Sequence, residues 1–313
     1  MSKRPELTEY MNLTSNLREY IRGVKPDISL GTLKTYGSLL TSFLKNKFDR
    51  EANMQNGIAF IKDTDAAIAY FDEEYADKPV STKKTLLSAL YAVDGAKAYR
   101  DEMMKYVKVH NQEMKKQEKS KTQTDNWMTY AEVMDVVEKY RKNTAPLFKS
   151  KTPLEGNDLM RAQQYVLLAL TTGVFIPPRR STDWTEMNLR NADPSNNYIE
   201  KNIMHFVTYK TAKAYGEQIV EMPNKLKLLM IKWKRLNGSD FLLVNKNGTT
   251  RMHTSRLAME LNQIFGKQVS TSMLRHIYLT EKLGHIPRLN ELDKLAGDMG
   301  HTVMQQLEYI KHS

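Results

Sequence analysis

The chain has 313 residues, enough for two domains with separate cores, since single domains usually hold about 100–200 residues. Lysine and arginine outnumber aspartate and glutamate by 47 to 36, a formal net charge of +11 that favours an anionic partner such as nucleic acid. The lack of cysteine excludes disulfide frameworks, thiolate zinc sites and cysteine nucleophiles, and without a long apolar run or a signal-peptide pattern we expect an intracellular protein.

Apolar side chains at helical spacing predict a small helical bundle over residues 1–105. The segments that carry this pattern are LREYIRGV, SLGTLKTYGSLLTSFLKNKF, DAAIAYFDEEY and STKKTLLSALYAV. Ser29 and Ser81 are predicted to cap the second and fourth segments, because a serine oxygen accepts from the free amides of a first helical turn. Lys83 and Lys84 are expected to face outward, away from the apolar stripe of the fourth helix.

Residues 106–126 are predicted to form a basic interdomain linker. The stretch lacks apolar periodicity and is rich in Lys, Gln and Glu, a composition that buries too little apolar surface to fold alone. We therefore expect one domain at 1–105 and a second at 127–313.

The second half begins with helical patterns and then changes to a strand pattern. Thr129 is predicted to start a helix, and RAQQYVLLALTTG to form an apolar helix that ends at Gly173. β-Branched and aromatic residues between 198 and 222 predict a β-hairpin, with Lys210 and Lys213 near its tip. Helical patterns then return, so the expected fold is mainly α with a small β-hairpin or sheet, an α+β class.

Basic residues, a histidine and a tyrosine follow one another in the second half in a distinctive order. Arg179 and Arg180 come after the apolar helix, a lysine lies on the hairpin, Arg275 lies in a helix, and His301 precedes Tyr309. This order resembles the catalytic domain of the tyrosine recombinases, the phage-integrase-type site-specific recombinases. The Pro-Pro-Arg-Arg form is more similar to divergent enzymes of eukaryotic viruses and mobile elements than to bacterial ones.

Two positions each have an alternative under this resemblance. In the family an acidic residue stands three positions after the first arginine, so Asp183 favours Arg180, with Arg179 as the alternative. The family's hairpin lysine commonly precedes threonine, which favours Lys210, with Lys213 as the alternative.

Two motifs depart from the family's form. The His-x-Leu-Arg-His box is represented by Ser272 through His276, so that serine replaces the first histidine. The family's tyrosine stands nine residues after the third-box histidine, whereas Tyr309 stands eight residues after His301. Serine can donate a hydrogen bond to a phosphate oxygen but is neither a charged donor nor a proton-transfer group near neutral pH, so we expect reduced rather than abolished chemistry.

The N-terminal half is similar to the family's core-binding domain, through Thr32, Tyr36, Leu40 and Phe43. The resemblance therefore spans nearly the whole chain and implies a core-binding DNA clamp at 1–105, a linker at 106–126 and a catalytic domain at 127–313. Lysines of the clamp and linker would contact DNA phosphates, namely Lys83, Lys84, Lys115, Lys116, Lys119 and Lys121.

The resemblance implies strand cleavage without a metal, ATP or another cofactor. Arg180 and Arg275 would stabilise charge on the nonbridging phosphate oxygens, and His301 would add a hydrogen bond. Lys210 would protonate the departing 5′ oxygen, and Tyr309 would attack to form a 3′-phosphotyrosyl bond. A homotetramer would act on two double-stranded DNA segments, and its location would follow the DNA, in a host nucleus, a viral factory or the cytoplasm.

Other functions stay open on the sequence alone. A type IB topoisomerase or a resolvase would use the same catalytic residues, and Ser272 with the shortened spacing is consistent with a catalytically inactive DNA-binding relative. A helical scaffold without a nucleic-acid role is a further alternative, since hairpin lysines such as Lys210 are usually solvated and tyrosines such as Tyr309 often anchor a helix. The histidines at 205, 253 and 285 lack metal-ligand spacing, so no metal site is expected.

Overall fold

The computed structural model describes the backbone of residues 5–300, 302–304 and 307, and the side chains from residue 12 onward. It is mainly helical with one small four-stranded sheet, which confirms the predicted α+β class. The chain divides into two compact units, residues 1–118 with 288–313, and residues 119–287. Each unit has its own apolar core.

The first unit begins with a helical bundle. Its helices are α1 (Pro5–Val24), α2 (Leu30–Phe48), α3 (Met54–Lys62), α4 (Thr64–Glu74), α5 (Val80–Asp94) and α6 (Lys97–Lys115). The Ser29 oxygen accepts from the Thr32 amide at 3.1 Å, so the predicted cap of α2 is confirmed. The predicted cap at Ser81 is wrong, because Pro79 adopts the extended conformation before α5 and its carbonyl accepts the first helical amides.

Helix covers most of residues 106–126, although their composition predicted no fold. α6 continues to Lys115, and a further helix begins at Lys121. The start of α6 is anchored by Tyr99, a fully buried side chain whose hydroxyl donates to the Ile61 carbonyl at 2.6 Å. A helix that has nucleated extends at little cost, which explains why the polar continuation stays helical. The two units divide after Glu118, within this segment, and the domain bounds of 1–105, 106–126 and 127–313 stay a prediction.

The second unit contains the sheet and eight helices of the described chain. Its elements are α7 (Lys121–Asn126), α8 (Tyr130–Thr144), α9 (Gly156–Thr171), α10 (Ser181–Thr185), β1 (Met187–Asn188), β2 (Asn197–Glu200), β3 (Ile203–Phe206), α11 (Ala212–Tyr215), β4 (Gln218–Glu221), α12 (Asn224–Leu236), α13 (Thr254–Phe265) and α14 (Thr271–Leu283). The strand order is β1-β2-β3-β4, with β1 and β2 parallel and the other neighbours antiparallel. The helix α15 (Leu289–Asp298) belongs to the first unit.

The predicted hairpin corresponds to β3 and β4. Ile203 pairs with Glu221 and Phe206 with Gln218, and the connection between the strands contains both candidate lysines. The sequence did not separate β2 from β3, which are joined by a tight turn at Lys201, a residue with φ of +53°.

Candidate nucleic-acid interface

A glycine turn directs the chain from α9 toward the arginine pair. Thr172 ends α9, and Gly173 has φ of +86°, a left-handed conformation that glycine adopts without strain. A Cβ on Gly173 would lie 2.3 Å from the Tyr278 ring, so the turn also packs against α14. Arg180 then provides the extended backbone position immediately before α10.

Arg179 is held by contacts inside the second unit. Its Nε donates to Asp183 Oδ2 at 3.0 Å, and its Nη1 donates to Gln218 Oε1 at 2.9 Å. The guanidinium lies 3.7 Å from the centre of the Phe206 ring, in cation–π geometry. With 18% of its side chain exposed, Arg179 joins the arginine segment to strands β3 and β4.

Asp183 is the buried negative charge of this region. Only 2% of its side chain is exposed, and burial raises the pKa of its carboxyl, while the charge of Arg179 acts in the opposite direction. Its second oxygen, Oδ1, is buried and has no hydrogen-bond partner among the residues that the structure describes.

Arg275 lies on α14, close to the arginine pair in space. Desolvation lowers the pKa of Arg275, and the positive charge of Arg180 lowers it further. The charge of Asp183 opposes this effect, and that of Arg179 adds to it. Asp183 compensates one of the three arginine charges of this group, so the group keeps a net charge of +2 when Asp183 is ionised. This excess favours binding of an anion.

A hydrogen bond between two hydroxyl groups holds α10 beside α14. Ser181 Oγ and Thr271 Oγ1 are 2.8 Å apart, and Thr271 is buried at the start of α14. The bond therefore joins the residue after Arg180 to the first turn of the helix that carries Arg275. In the described part of the chain, neither of these two guanidinium groups has a hydrogen bond or a close ion pair.

The candidate lysine Lys210 lies in the turn that follows β3. Its side chain is exposed, as is that of Lys213 on α11. The neighbouring Tyr209 ring lies 5.4 Å from the Arg179 guanidinium, and its hydroxyl donates to the Gly216 carbonyl at 2.7 Å. Lys210 therefore extends from a loop that is anchored next to Arg179, and its catalytic role stays a prediction.

The remaining catalytic candidates divide into described and undescribed positions. Ser272 and His276 are exposed on α14, on either side of Arg275. Residues His301 and Tyr309 lie outside the residues that the structure describes, so their roles stay predictions from the sequence.

The lysines of α5 are partly exposed and partly packed against the bundle. The Lys83 amino group donates to the Ala76 carbonyl and lies 5.5 Å from the centre of the Tyr106 ring. Lys84 is half-buried, whereas Lys116 is exposed. Lys83 therefore has an evident structural role within the bundle.

The other predicted DNA-binding lysines differ in their surroundings. Lys115 forms a 2.5 Å ion pair with Asp293 of α15. Lys119 lies 4.1 Å from the centre of the Trp127 ring, and Lys121 is exposed at the start of α7. The proposed phosphate contacts of all these lysines remain predictions.

Residues 5–300, 302–304 and 307 contain neither a metal-ligand cluster nor a membrane-spanning helix. In this part of the chain, no three His, Asp or Glu side chains are grouped as metal ligands require. No helix there combines the length and apolarity needed to cross a bilayer.

Several residues of the site were missing from the sequence-based set. Gln218 and Phe206 hold Arg179, Thr271 holds α10, and the fully buried Asn197 bonds to the Asp183 carbonyl. The resemblance pointed to Asp183, but the other residues depend on contacts between distant segments.

Comparison with known proteins gives one distant structural likeness. No protein family matches the chain, and no curated protein matches its sequence. Among solved structures, the chain is similar to the XerH site-specific recombinase bound to its difH substrate in a pre-cleavage complex. The identity is 14% and the TM-score 0.44, over 100% of this chain and 90% of that one. This likeness is too distant to say more about the chain.

Proposed function

We propose that the protein is a DNA strand transferase, a site-specific recombinase or integrase that cleaves and rejoins double-stranded DNA. The observation that carries the proposal is that Arg180 and Arg275 stand on segments joined by the Ser181–Thr271 hydrogen bond and repel each other electrostatically, next to the largely buried Arg179–Asp183 pair. Two guanidinium groups on hydrogen-bonded segments suit a phosphodiester, whose nonbridging oxygens accept bidentate hydrogen bonds. The net charge of +11 agrees with a polyanionic substrate.

The proposed reaction is one in-line displacement at phosphorus. The Tyr309 hydroxyl oxygen forms the new bond to phosphorus and loses its proton to solvent, while the bond from phosphorus to the 5′ oxygen breaks. Lys210 donates a proton to that leaving oxygen, and Arg180 and Arg275 stabilise the charge that develops between. Attack by a 5′ hydroxyl on the phosphotyrosyl bond reverses the step.

The proposed cleavage and rejoining reaction needs no external energy source. The phosphotyrosyl linkage retains the free energy of the phosphodiester, so rejoining needs neither ATP nor a metal ion in the proposed mechanism. Four protomers on two DNA duplexes would exchange strands, inside a cell or viral factory that contains the DNA.

The test uses the full chain and DNA that flanks its own gene. Nicks beside candidate cleavage positions release a short fragment after attack and so trap the covalent adduct, which survives SDS. Wild-type protein is expected to form adducts and Tyr309→Phe to form none. Tyr140→Phe, which removes a hydroxyl from α8 of the second unit, is the matched control and is expected to retain adduct formation.

A catalytically inactive DNA-binding relative is the second candidate, because exposed Ser272 occupies the position of a histidine in the proposed family. Salt-sensitive DNA binding without adducts would favour it. Adducts that persist in Tyr309→Phe would instead show that another residue is the nucleophile. Relaxation of supercoiled plasmid irrespective of sequence would identify a topoisomerase with the same chemistry.

A further inference from the structure

Asn197 forms a buried polar connection between two segments of the candidate site. It is the first residue of β2, and none of its surface is exposed. Its Oδ1 accepts from the amides of Val207 and Thr208, both at 2.8 Å. Its Nδ2 donates to the carbonyls of Thr208 at 3.0 Å and Asp183 at 3.2 Å. The side chain thus uses both of its donors and its acceptor oxygen on backbone groups.

The two segments joined by Asn197 are those that carry the proposed catalytic charges. Asp183 lies three residues after Arg180, at the first turns of α10. Thr208 lies two residues before Lys210, where the chain has left β3. Two residues of extended chain span at most about 7 Å, so fixing Thr208 confines the backbone of Lys210 to a small region.

We propose that Asn197 is a positioning residue that sets the hairpin lysine relative to the arginine segment. This inference rests on the proposed function and adds a role that the catalytic residues do not explain. Asparagine suits the role because one planar amide offers an acceptor and two donors, whereas an ionised aspartate only accepts and alanine does neither. Loss of the amide would leave buried backbone groups unpaired, and residues 207 and 208 would move to reach water.

A substrate with sulfur in place of the bridging 5′ oxygen separates positioning from general stability. A thiolate leaves without protonation, so cleavage of this substrate does not need the general acid. Asn197→Ala is expected to slow cleavage of the ordinary substrate by about 100-fold, since a misplaced catalytic group costs rates of that order. Cleavage of the sulfur substrate is expected to change less than about threefold, as in Lys210→Ala, because only the proton transfer is impaired.

Asn237 offers a matched control in the same unit. It is also fully buried, its Nδ2 donates to the Phe241 carbonyl at 2.9 Å, and its Oδ1 accepts from the Ser239 amide at 3.0 Å. It holds the turn after α12 and contacts neither of the segments that Asn197 joins. Asn237→Ala is therefore expected to affect the two substrates equally.

Equal slowing of both substrates by Asn197→Ala would overturn the inference while leaving the proposed function intact. No adduct from wild-type protein on either substrate would overturn the proposed function and this role together. Hydrogen exchange provides a readout that needs no catalysis, and the amides of Val207 and Thr208 are expected to exchange faster in Asn197→Ala but not in Asn237→Ala. Unchanged exchange would also overturn the inference. If Asn197→Ala does not fold, Asn197→Asp keeps the acceptor for the Val207 and Thr208 amides but loses both donors, so the comparison of the two substrates is repeated with it and the exchange measurement is not.

Discussion

Replacing Gly173 by alanine tests how the arginine segment is supported. The residue has φ of +86°, where a Cβ costs about 1–2 kcal/mol. The added atom would also lie 2.3 and 2.6 Å from two carbons of the Tyr278 ring, distances that require the ring or backbone to move. Forced movement in a packed region costs about 1–3 kcal/mol. Together with the conformational cost, we expect the free energy of unfolding to fall by about 2–5 kcal/mol.

Tryptophan fluorescence can follow this loss in the second unit selectively. All three tryptophans, Trp127, Trp184 and Trp233, lie within residues 119–287. The matched control is Gly266→Ala, because Gly266 has φ of +65° but no atom within 4 Å of an added Cβ. The free energy of unfolding of Gly266→Ala is expected to fall only by the cost of the left-handed conformation, about 1–2 kcal/mol. For a unit of this size, each kcal/mol lowers Tm by about 2–4 °C.

The decisive quantity is the difference in unfolding temperature between Gly173→Ala and Gly266→Ala. If Gly173→Ala unfolds at the same temperature as Gly266→Ala, the contact with Tyr278 does not constrain the turn and the reasoning is refuted. Combining Gly173→Ala with Tyr278→Leu is expected to recover part of the loss, since the smaller side chain removes the ring atoms that clash. The single variant is also expected to reduce adduct formation, because the turn leads directly to Arg179 and Arg180.

Further predictions concern the charges. Arg179→Ala is expected to lower the free energy of unfolding by about 3 kcal/mol, because it leaves Asp183 buried without its ion-pair partner, whereas Arg180→Ala should change it by less than about 1 kcal/mol and abolish adducts. Tryptophan-detected unfolding and adduct gels check both; equal destabilisation would contradict the division of roles. Arg275→Lys keeps the charge but loses the planar donor, so cleavage rates should fall at least about tenfold with an unchanged salt dependence of DNA binding. A rate equal to wild type would contradict bidentate binding. Burial raises the pKa of Asp183, so the folded state retains the proton of this carboxyl to higher pH than the unfolded state does. The free energy of unfolding of the wild type should therefore fall, relative to that of Asp183→Asn, as pH rises from about 3.8 through the raised pKa. Urea unfolding of both proteins across this range checks the sign, and an opposite slope would show that pairing with Arg179 outweighs burial.

Local signals in the sequence predicted the features that local contacts determine. Ser29 caps α2 and Thr129 caps α8, since each oxygen bonds to an amide three residues ahead. The β3–β4 hairpin was likewise visible in its run of β-branched and aromatic residues. The helical continuation through residues 106–115 was missed because its stability depends on Tyr99 and the contact of that side chain with Ile61, a distant segment.

In the candidate site too, the sequence did not predict residues whose role depends on contacts between distant segments. The family resemblance in residue order proposed Arg180 and Arg275 and used Asp183 to favour Arg180 over Arg179, and the roles of these arginines stay predictions. The position of Asn197 was not informative, since an asparagine before a strand is common in turns and its contacts with residues 207 and 208 arise only after β2 and β3 pair. The structural role of Lys83 was missed because its helical face was inferred without the packing of Tyr106.

The adjacency of Arg179 and Arg180 gives the two arginines different environments. Arg179 meets Asp183 one helical turn ahead, on the side that packs against β3 and β4, and its charge is compensated there. Arg180 is the residue immediately before α10. Its positive charge repels that of Arg275, and both charges remain available to bind an anion. A buried pair that is already neutral can rigidify the backbone without attracting the substrate, whereas an uncompensated guanidinium binds an anion best when its support does not move. The dipeptide therefore combines support and binding in consecutive residues, which explains why neither arginine is expected to replace the other.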